Sequence, residues 1–226
     1  MKKIGIIGGT TPESTCYYYR LYMEISRKRL GNHVYPPLIV YSINFSEFMN
    51  NQDGWEGRKR ILVQAGEALN RAGADIIALS ANTPHIVFDD LQSQLDVPMV
   101  SILDALVERM KMEYVIKPLL LGTRTTMSAD FYRNRLLKEG FDVVVPSEEE
   151  QYRLNDIIFQ EIAKGDLSSR DWILLMINKY AVNEGVDSII LGCTELPLIL
   201  QEGDVPLKVF DTARIHMEKL IEIATS

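Results

Sequence analysis

The chain has 226 residues and a mass of 25.7 kDa, with 46% apolar and 24% charged residues, so it forms one large domain or two small ones. Acidic residues outnumber basic ones by 31 to 24 and the sequence pI is about 5.1. This balance argues against a nucleic-acid partner, because no basic face is available for the phosphates. The apolar runs are too short for a signal peptide or a membrane span. Because two cysteines cannot form a disulfide scaffold, we expect a cytoplasmic protein with no membrane partner.

Short apolar runs alternate with longer helical patterns along the chain. The predicted strands are Lys3–Ile7, Pro37–Ile43, Asp75–Leu79, Met99–Ile102, Lys117–Leu121, Asp142–Val145, Ser188–Leu191 and Leu207–Phe210. The predicted helices are Glu13–Leu30, Glu56–Ala72, Ser128–Glu139, Glu148–Lys164, Arg170–Glu184 and Ala213–Ala224. Several strands are apolar on both faces, as buried parallel strands are. The alternation predicts an α/β fold with parallel sheets.

The chain also repeats itself at about half its length. Glu67–Thr83 and Lys179–Glu195 align without gaps at an offset of 112 residues. Two further pairs correspond, namely Lys3–Thr10 with Lys117–Thr123 and Val97-Pro98 with Val205-Pro206. Such a period predicts two similar lobes rather than a solenoid, although generic strand–helix units can also resemble one another by chance.

Ligands of open α/β sheets bind beyond the carboxyl ends of the strands. The loops in that position are Gly8–Thr15, Ser80–His85, Gly122–Met127 and Gly192–Pro197. If the lobes face each other, these loops surround one cleft. A further loop, Asn44–Trp55, follows the second strand and is placed to cover it.

Cys193 follows a predicted strand and precedes Thr194 and Glu195. A cysteine there can act as a nucleophile or a base, and backbone N–H groups of a following helix would lower its pKa. The alternative is a cysteine that packs as a small buried hydrophobe. The glycine before it and the Thr-Glu pair after it favour a functional role.

The repeat places Ala81 at the position equivalent to Cys193. After it come Asn82 and Thr83, which can hydrogen-bond a carboxylate or simply form a turn. His85 is either an acid or base or a helix-end residue paired with a carboxylate. Cys16 lies within a helix pattern beside three tyrosines, so we expect it to be packed rather than catalytic.

Other ligand motifs are weak or missing in this sequence. Thr10 and Thr11 follow Gly8-Gly9, but the pattern is not the GxGxxG of a dinucleotide site. The scattered histidines and cysteines lack metal-ligand spacing. The strand-end loops contain no lysine for a pyridoxal phosphate Schiff base. We therefore expect neither a metal nor an organic cofactor.

Four motifs together resemble the aspartate/glutamate racemase superfamily, which also includes hydantoin racemases, maleate isomerases and arylmalonate decarboxylases. They are Gly8-Gly9, Asn82-Thr83-Pro84-His85, Leu121-Gly122-Thr123 and Gly192-Cys193-Thr194-Glu195. Further motifs are similar to the aspartate/glutamate racemase branch, namely Glu13-Ser14-Thr15, Asp130-Phe131-Tyr132 and Phe210-Asp211-Thr212-Ala213. The resemblance covers essentially the whole chain.

The resemblance implies a cofactor-independent amino-acid racemase, an isomerase with two pseudo-symmetric α/β lobes and a site in the cleft between them. It implies a homodimer, a small acidic amino acid or dicarboxylate as substrate, and two cysteines that exchange protons on opposite faces of the α-carbon. The predicted site residues are Cys193 as the catalytic group and Thr10, Gln52, Ala81, Asn82, Thr83, Thr123, Thr194 and Glu195 as binding positions. The implied lobes are 1–98 plus 208–226 and 99–207, with strand Leu207–Phe210 and the last helix returning to the first lobe.

The sequence departs from the family pattern at Ala81, where the first family cysteine would lie. A methyl group cannot transfer a proton, so Cys193 serves one face only. Ala81 is either an engineered change or natural, with Ser80, Thr83, His85 or water as the second acid. Alternatively, a single-cysteine decarboxylase or isomerase acts on a dicarboxylate here, or an inactive homologue only binds its ligand.

Positive charge for an acidic substrate would come from Arg58, Arg60 or Arg124, each of which can equally be solvated surface. The family's lysine has no clear counterpart near Ala163-Lys164, so no site role is assigned there. A different class, a periplasmic-binding-like or regulatory α/β module, remains as a fallback. The lack of a signal peptide, a helix-turn-helix and a basic patch argues against it.

Overall fold

A computed structural model describes residues 1–226. The strands are β1 (Ile4–Gly8), β2 (Leu38–Ser42), β3 (Ile76–Leu79), β4 (Pro118–Leu121), β5 (Ser188–Leu191) and β6 (Lys208–Asp211). The helices are α1 (Pro12–Leu30), α2 (Phe45–Met49), α3 (Gly54–Arg71), α4 (Phe88–Gln92), α5 (Ile102–Met112), α6 (Arg124–Ser128), α7 (Asp130–Lys138), α8 (Glu148–Asp156), α9 (Arg170–Glu184) and α10 (Thr212–Thr225). None of these helices has the length and apolar character of a membrane span.

The strands form two parallel sheets, in the orders β2-β1-β3 and β4-β5-β6. In the first sheet, β1 lies in the middle and all five of its residues are buried. In the second sheet β5 lies in the middle, and all four of its residues are buried. Continuous apolar burial of the central strands is the pattern expected where helices cover both faces of a parallel sheet.

The two sheets have the same order once isolated bridges are included. Met99 bridges to Ile77 beyond β3, and Val144 bridges to Leu119 beyond β4. Each sheet therefore has four strand positions, one of which is an edge reduced to a single bridging residue pair. In the first sheet this edge lies beyond β3, and in the second sheet it lies beyond β4. The α/β fold with two similar parallel-sheet lobes is confirmed.

Strand β6 corrects one prediction. We expected residues from Leu207 to Phe210 to return to the first lobe, but β6 pairs with β5, from Ser188↔Lys208 to Leu191↔Asp211. The physical reason is that β6 occupies the sheet position that Met99 occupies in the first sheet. The correspondence of Val97-Pro98 with Val205-Pro206 already carried this signal.

Two predicted strands shrink, and four helices, α2, α4, α5 and α6, were not predicted, of which α5 is the longest. Met99–Ile102 and Asp142–Val145 contribute only the bridging residues Met99 and Val144. Ile102 instead begins α5, which the sequence analysis did not predict. Ile102, Leu106 and Met110 are all fully buried at a spacing of four residues, so the helical period was present in the sequence.

Two predicted helices are interrupted. Ala129 has an extended backbone at ψ 137°, which separates α6 from α7 within the region predicted as Ser128–Glu139. The segment predicted as Glu148–Lys164 is α-helical only to Asp156 and continues as a π-helical turn, Ile157–Glu161, and a 3-10 turn, Ile162–Lys164.

The chain divides into two compact units, Met1–Ala105 with Ala213–Ser226, and Leu106–Thr212. In the first unit, α10 packs Met217, Leu220 and Ile221 against β1 and α1. In the second unit, α8 and α9 cover β4 and β5 in one apolar cluster that also includes Cys193. Each sheet is thus fixed by its own core, which holds its strand ends in place.

Candidate active site

The ends of β4 and β5 approach each other closely in the second unit. The Gly192 N–H donates to the Leu121 carbonyl at 2.7 Å. A Cβ added at Gly192 would lie 3.0 Å from that carbonyl oxygen, and one at Gly122 would lie 3.1 Å from the Gly192 oxygen. A side chain at either position would press on this contact, and the glycine pair allows the Thr123 and Cys193 loops to lie side by side.

A carboxylate holds the thiol of Cys193. The Cys193 Sγ–H donates to Glu195 Oε2 at 2.8 Å, and the Thr194 hydroxyl donates to the same oxygen at 3.0 Å. All three residues are at least nine-tenths buried. The predicted residues Cys193, Thr194 and Glu195 thus form one hydrogen-bonded cluster in which a proton lies between sulfur and oxygen.

The electrostatics of Cys193 differ from the expectation of a lowered pKa. Burial raises the thiol pKa well above its usual range, and the Glu195 charge and hydrogen bond raise it further. Backbone N–H groups of Thr194 and Glu195 act in the opposite direction but are outweighed. The expectation is wrong because burial and the Glu195 carboxylate outweigh these N–H groups, which precede only a three-residue 3-10 turn, Leu196–Leu198.

Thr212, which was not among the predicted site residues, supports the same strand end. Its buried hydroxyl donates to the Leu191 carbonyl at 2.8 Å, two residues before Cys193. The sequence signal for Thr212 was its position in the Phe210-Asp211-Thr212-Ala213 motif. That motif indicated a similarity to the racemase branch but no role for Thr212 in the site.

Thr123 and Arg124 begin the neighbouring loop. Thr123 caps α6 by accepting from the Thr126 N–H and is half-buried. The Arg124 guanidinium lies over the Tyr152 ring at 4.0 Å from its centroid, and the Arg124 N–H donates to Asn155 Oδ1 at 3.0 Å. Two side chains of α8 therefore hold Arg124 beside Thr123.

In the first unit, Gly9 and Thr10 follow β1. Gly9 has φ +84°, and a Cβ there would lie 2.4 Å from the Ile43 oxygen. Thr10 is 8% exposed, and its buried Oγ1 has no hydrogen-bond partner. A buried hydroxyl without a partner is costly, so Thr10 is suited to receive a ligand oxygen or a water.

Ala81 follows β3 by two residues, as Cys193 follows β5. Ala81 and Thr83 are half-buried, and Asn82 is buried. Ser80 is fully buried, with its hydroxyl 3.4 Å from Thr15 Oγ1, which also accepts from the Gly9 N–H at 2.8 Å. The Ser80 hydroxyl thus joins the loops after β1 and β3.

His85 has partners on both ring nitrogens. Its Nδ1 lies 3.0 Å from the Ala81 carbonyl oxygen, and its Nε2 accepts from the Ile102 N–H at 3.1 Å. Burial, followed by the neighbouring His216, lowers the His85 pKa to about 3. The ring is therefore neutral and fully engaged, which does not suit the acid or base role considered for it.

Four other residues of interest lie outside these clusters. Gln52 is exposed in the turn between α2 and α3. Cys16 is exposed, so the expectation that it is packed is wrong. Arg58 donates to the Phe48 and Met49 carbonyls, and Arg60 pairs with Asp53. Arg58 and Arg60, both in α3, are thus bound to the end of α2 and to the residue before α3.

No group of three or more His, Cys, Asp and Glu side chains is arranged to hold a metal ion. The titratable group in the β5 loop is instead the Cys193–Glu195 pair, which shares one hydrogen bond. Such a pair can move a proton between sulfur and oxygen.

The geometry agrees with comparisons to known proteins. The chain is 59% identical to an aspartate racemase homologue from Pyrococcus horikoshii, over 100% of both chains and with a TM-score of 0.95. It is 36% identical to a candidate Asp/Glu racemase from Yersinia pestis, again over 100% of both chains, with a TM-score of 0.93. It is 24% identical to the broad specificity amino-acid racemase RacX of Bacillus subtilis, over 93% of this chain and 92% of that protein. The Asp/Glu/Hydantoin racemase family model matches residues 7–220, and the chain belongs to this family.

Proposed function

We propose that this chain is a cofactor-independent enzyme that transfers a proton at the α-carbon of a small acidic amino acid, with Cys193 as the acid/base group. The observation that carries the proposal is the buried Cys193 thiol donating to Glu195 at 2.8 Å. Family membership supplies the reaction class, and this hydrogen bond supplies a route for the proton.

In the proposed reaction, Cys193 and Glu195 together accept the proton that leaves the substrate. Glu195 accepts the thiol proton, and the thiolate then removes the α-proton of the substrate, whose C–H electron pair becomes the enolate-like carbanion. A thiolate whose conjugate acid has a raised pKa is the stronger base. The carbanion requires donors aimed at the substrate carboxylate, a role we assign to Asn82, Thr83 and Thr123, since the Thr194 hydroxyl already donates to Glu195.

Ala81 makes the proposed reaction one-sided. If Cys193 serves one face, another acid must serve the opposite face for inversion. Of the side chains considered for that role, Ser80 and His85 are held by other groups, which leaves Thr83 or a water molecule. Without such an acid, the enzyme would exchange the α-proton but return it to the same face.

Arg124 supports an acidic substrate. A guanidinium binds a carboxylate through paired N–H donors, and the exposed Arg124 side chain is stacked on Tyr152 beside Thr123. The unpartnered Thr10 hydroxyl offers a further donor for a substrate oxygen. We therefore propose aspartate or glutamate rather than a neutral amino acid.

The test is proton NMR of L- and D-aspartate and L- and D-glutamate in D₂O, with Cys193→Ala as a control. Deuterium at the α-carbon without inversion, lost in the control, would establish a one-sided base. Deuterium with inversion would identify a second acid, and Thr83→Ala would then be expected to reduce inversion more strongly than exchange, because Thr83 also contributes to carboxylate binding. Exchange that Ala81→Cys converts into inversion would assign Ala81 to the missing acid position.

The absence of exchange with all four amino acids, in both the wild type and Ala81→Cys, would overturn the proposal. The competing functions would then be protonation of a carbanion formed by loss of CO₂ from a dicarboxylate, or ligand binding without turnover. Release of CO₂ from a malonate-type substrate distinguishes these two.

The assignment of Arg124 has its own matched control. Arg153 is also exposed and lies over an aromatic ring, that of Trp172, at 4.5 Å. We expect Arg124→Gln to raise the KM for aspartate by roughly 10-fold or more, since a charge-assisted hydrogen bond contributes ~1.5–3 kcal/mol, and Arg153→Gln to leave it unchanged. Equal KM values for the two variants would contradict the assignment.

We also propose that the chain acts as a homodimer, as the family resemblance implies. Light scattering coupled to size-exclusion chromatography should then give twice the chain mass of 25.7 kDa. A peak at the mass of a single chain would contradict this.

A further inference from the structure

The first unit contains a buried pair of histidines that the proposed chemistry does not use. The His85 and His216 rings are 6.0 Å apart in an edge-to-face arrangement, and His85 is stacked on Phe88 at 5.3 Å. Both histidines are at most 4% exposed. Two buried imidazoles require hydrogen-bond partners for four ring nitrogens. The partners identify which backbone segments the two histidines fix in place.

The partners fix the tautomer of each ring. His85 Nε2 accepts from the Ile102 N–H, so its proton is on Nδ1, which donates to the Ala81 carbonyl. His216 Nε2 lies 2.9 Å from the Val100 carbonyl oxygen and must donate to it, so Nδ1 accepts from the Tyr18 hydroxyl at 2.9 Å. Each ring is therefore a neutral connector with one donor and one acceptor.

Together the histidines hold the three-residue segment that leads into α5. His216 binds the carbonyl of Val100, and His85 binds the N–H of Ile102. The opposite side of His85 binds the carbonyl of Ala81, the residue equivalent in sheet position to Cys193. The Ala81 loop is thus tied through one imidazole to the beginning of a buried helix.

We infer that His85 is a positioning residue, whose imidazole fixes the Ala81 carbonyl and so orients Asn82 and Thr83 toward the substrate. This inference rests on the proposed function only in taking Ala81–Thr83 as part of the site. A loop after a strand end is otherwise free to shift, and misplacement by about 1 Å can cost on the order of 100-fold in rate.

Two amide substitutions separate the two bonds of His85. The Asn side-chain amide lies near the position of Nδ1 and keeps a donor for Ala81, whereas the longer Gln amide reaches the position of Nε2 and keeps an acceptor for Ile102. His85→Asn should preserve the loop and release Ile102. His85→Gln should do the reverse, so the two variants serve as controls for each other.

The measurement combines amide NMR with the exchange assay. In His85→Asn we expect the Asn82 and Thr83 amide shifts to stay at their wild-type positions and the α-proton exchange rate to stay within about 3-fold of wild type. Hydrogen exchange at the Ile102 amide should accelerate. In His85→Gln we expect Ile102 to stay protected, the loop shifts to move, and the α-proton exchange rate to fall by roughly 10-fold or more. Equal effects of the two variants on the loop would overturn the inference.

Two further readouts keep the inference separate from the proposed function. If the wild type acts on none of the amino acids, the proposed function fails, while the loop shifts still decide whether His85 positions Ala81–Thr83. If neither variant folds, long-range ¹⁵N spectra of the wild type report the tautomer. A neutral, Nδ1-protonated His85 at pH 5 is expected, and an Nε2-protonated ring would overturn the inference.

Discussion

Cys193 is held in the protonated form by the residue that can also deprotonate it. The carboxylate of Glu195 accepts from the thiol and, after burial, is the main cause of the raised Cys193 pKa. A negative charge opposes formation of a thiolate beside it. The thiol therefore becomes a base only when the proton and the charge are redistributed within the pair.

This arrangement predicts the effect of Glu195→Gln on thiol reactivity. Removing the carboxylate charge should lower the Cys193 pKa, so that alkylation by iodoacetamide at a fixed pH becomes faster. The rate would be followed by mass spectrometry across a pH series in a Cys16→Ser background. This background is needed because, in the wild type, the exposed Cys16 should react with iodoacetamide before the buried Cys193. An unchanged or raised Cys193 pKa in the variant would contradict the role given to Glu195.

At the scale of elements, the turn after β1 depends on a glycine with two constraints. Gly9 has φ +84°, and an added Cβ would lie 2.4 Å from the Ile43 oxygen. Gly165 has the same φ of +84° but no atoms within 4 Å of its added Cβ. The pair separates backbone strain from steric overlap.

We expect Gly165→Ala to cost ~1–2 kcal/mol, the penalty of a left-handed residue. Gly9→Ala should cost a further ~1–3 kcal/mol, because the backbone of Ile43 must move. Urea denaturation of both variants measures the difference in the free energy of unfolding. Equal losses would show that the close approach to Ile43 has no energetic consequence.

Helix α8, which holds Arg124 through Tyr152 and Asn155, begins at a capping box. The Ser147 hydroxyl accepts from the Glu150 N–H, and the Glu150 carboxylate accepts from the Ser147 N–H at 3.1 Å. Ser169 occupies the same position before α9 but makes no side-chain capping bond. Helix position alone therefore does not determine whether a serine caps.

Ser147→Ala should destabilise the protein by ~1 kcal/mol, the usual value of an N-cap. The matched change Ser169→Ala should have an effect within ~0.5 kcal/mol of zero. Thermal and chemical denaturation of the two variants test this. A larger loss from Ser169→Ala would mean that the bond geometry at Ser147 does not carry the stabilisation.

For the whole molecule, the buried histidines make stability depend on pH. Burial is the largest cause of the lowered pKa of both rings, to about 3 for His85 and about 4 for His216. The groups facing them include Tyr18, Phe88 and each other. Both rings fold as the neutral form, whereas the unfolded chain binds protons below pH ~6.5.

Their stabilisation is therefore complete above pH ~6.5 and is lost as the pH falls from there toward 4 and 3. Each histidine should contribute a slope of up to ~1.4 kcal/mol per pH unit within that window. His216→Gln keeps a donor for Val100 but cannot titrate, so its unfolding free energy should vary less between pH 6.5 and 4.5. An unchanged slope in this variant would contradict the buried, neutral assignment.

The fold class, the internal repeat, the family and the strand-end loops could all be predicted from the amino-acid sequence. Apolar periodicity and glycine-rich strand ends are local patterns, and the 112-residue repeat in the sequence aligns Ala81 with Cys193. The sheet of strand β6 and the existence of helix α5 were not predicted, although the repeat and a four-residue apolar period held signals for them. Sheet membership depends on which strands pair, and pairing joins residues that are distant in the chain.

The protonation chemistry of the site depends on contacts that form only in the folded chain. Residue types suggested a cysteine with a lowered pKa, but burial and the Glu195 carboxylate raise it. The sequence offered His85 as an acid, but both of its nitrogens bind backbone groups, one of them at Ile102, 17 residues further along the chain. The pKa of a side chain depends on desolvation and on neighbours brought close by folding, and neither is written in the local sequence.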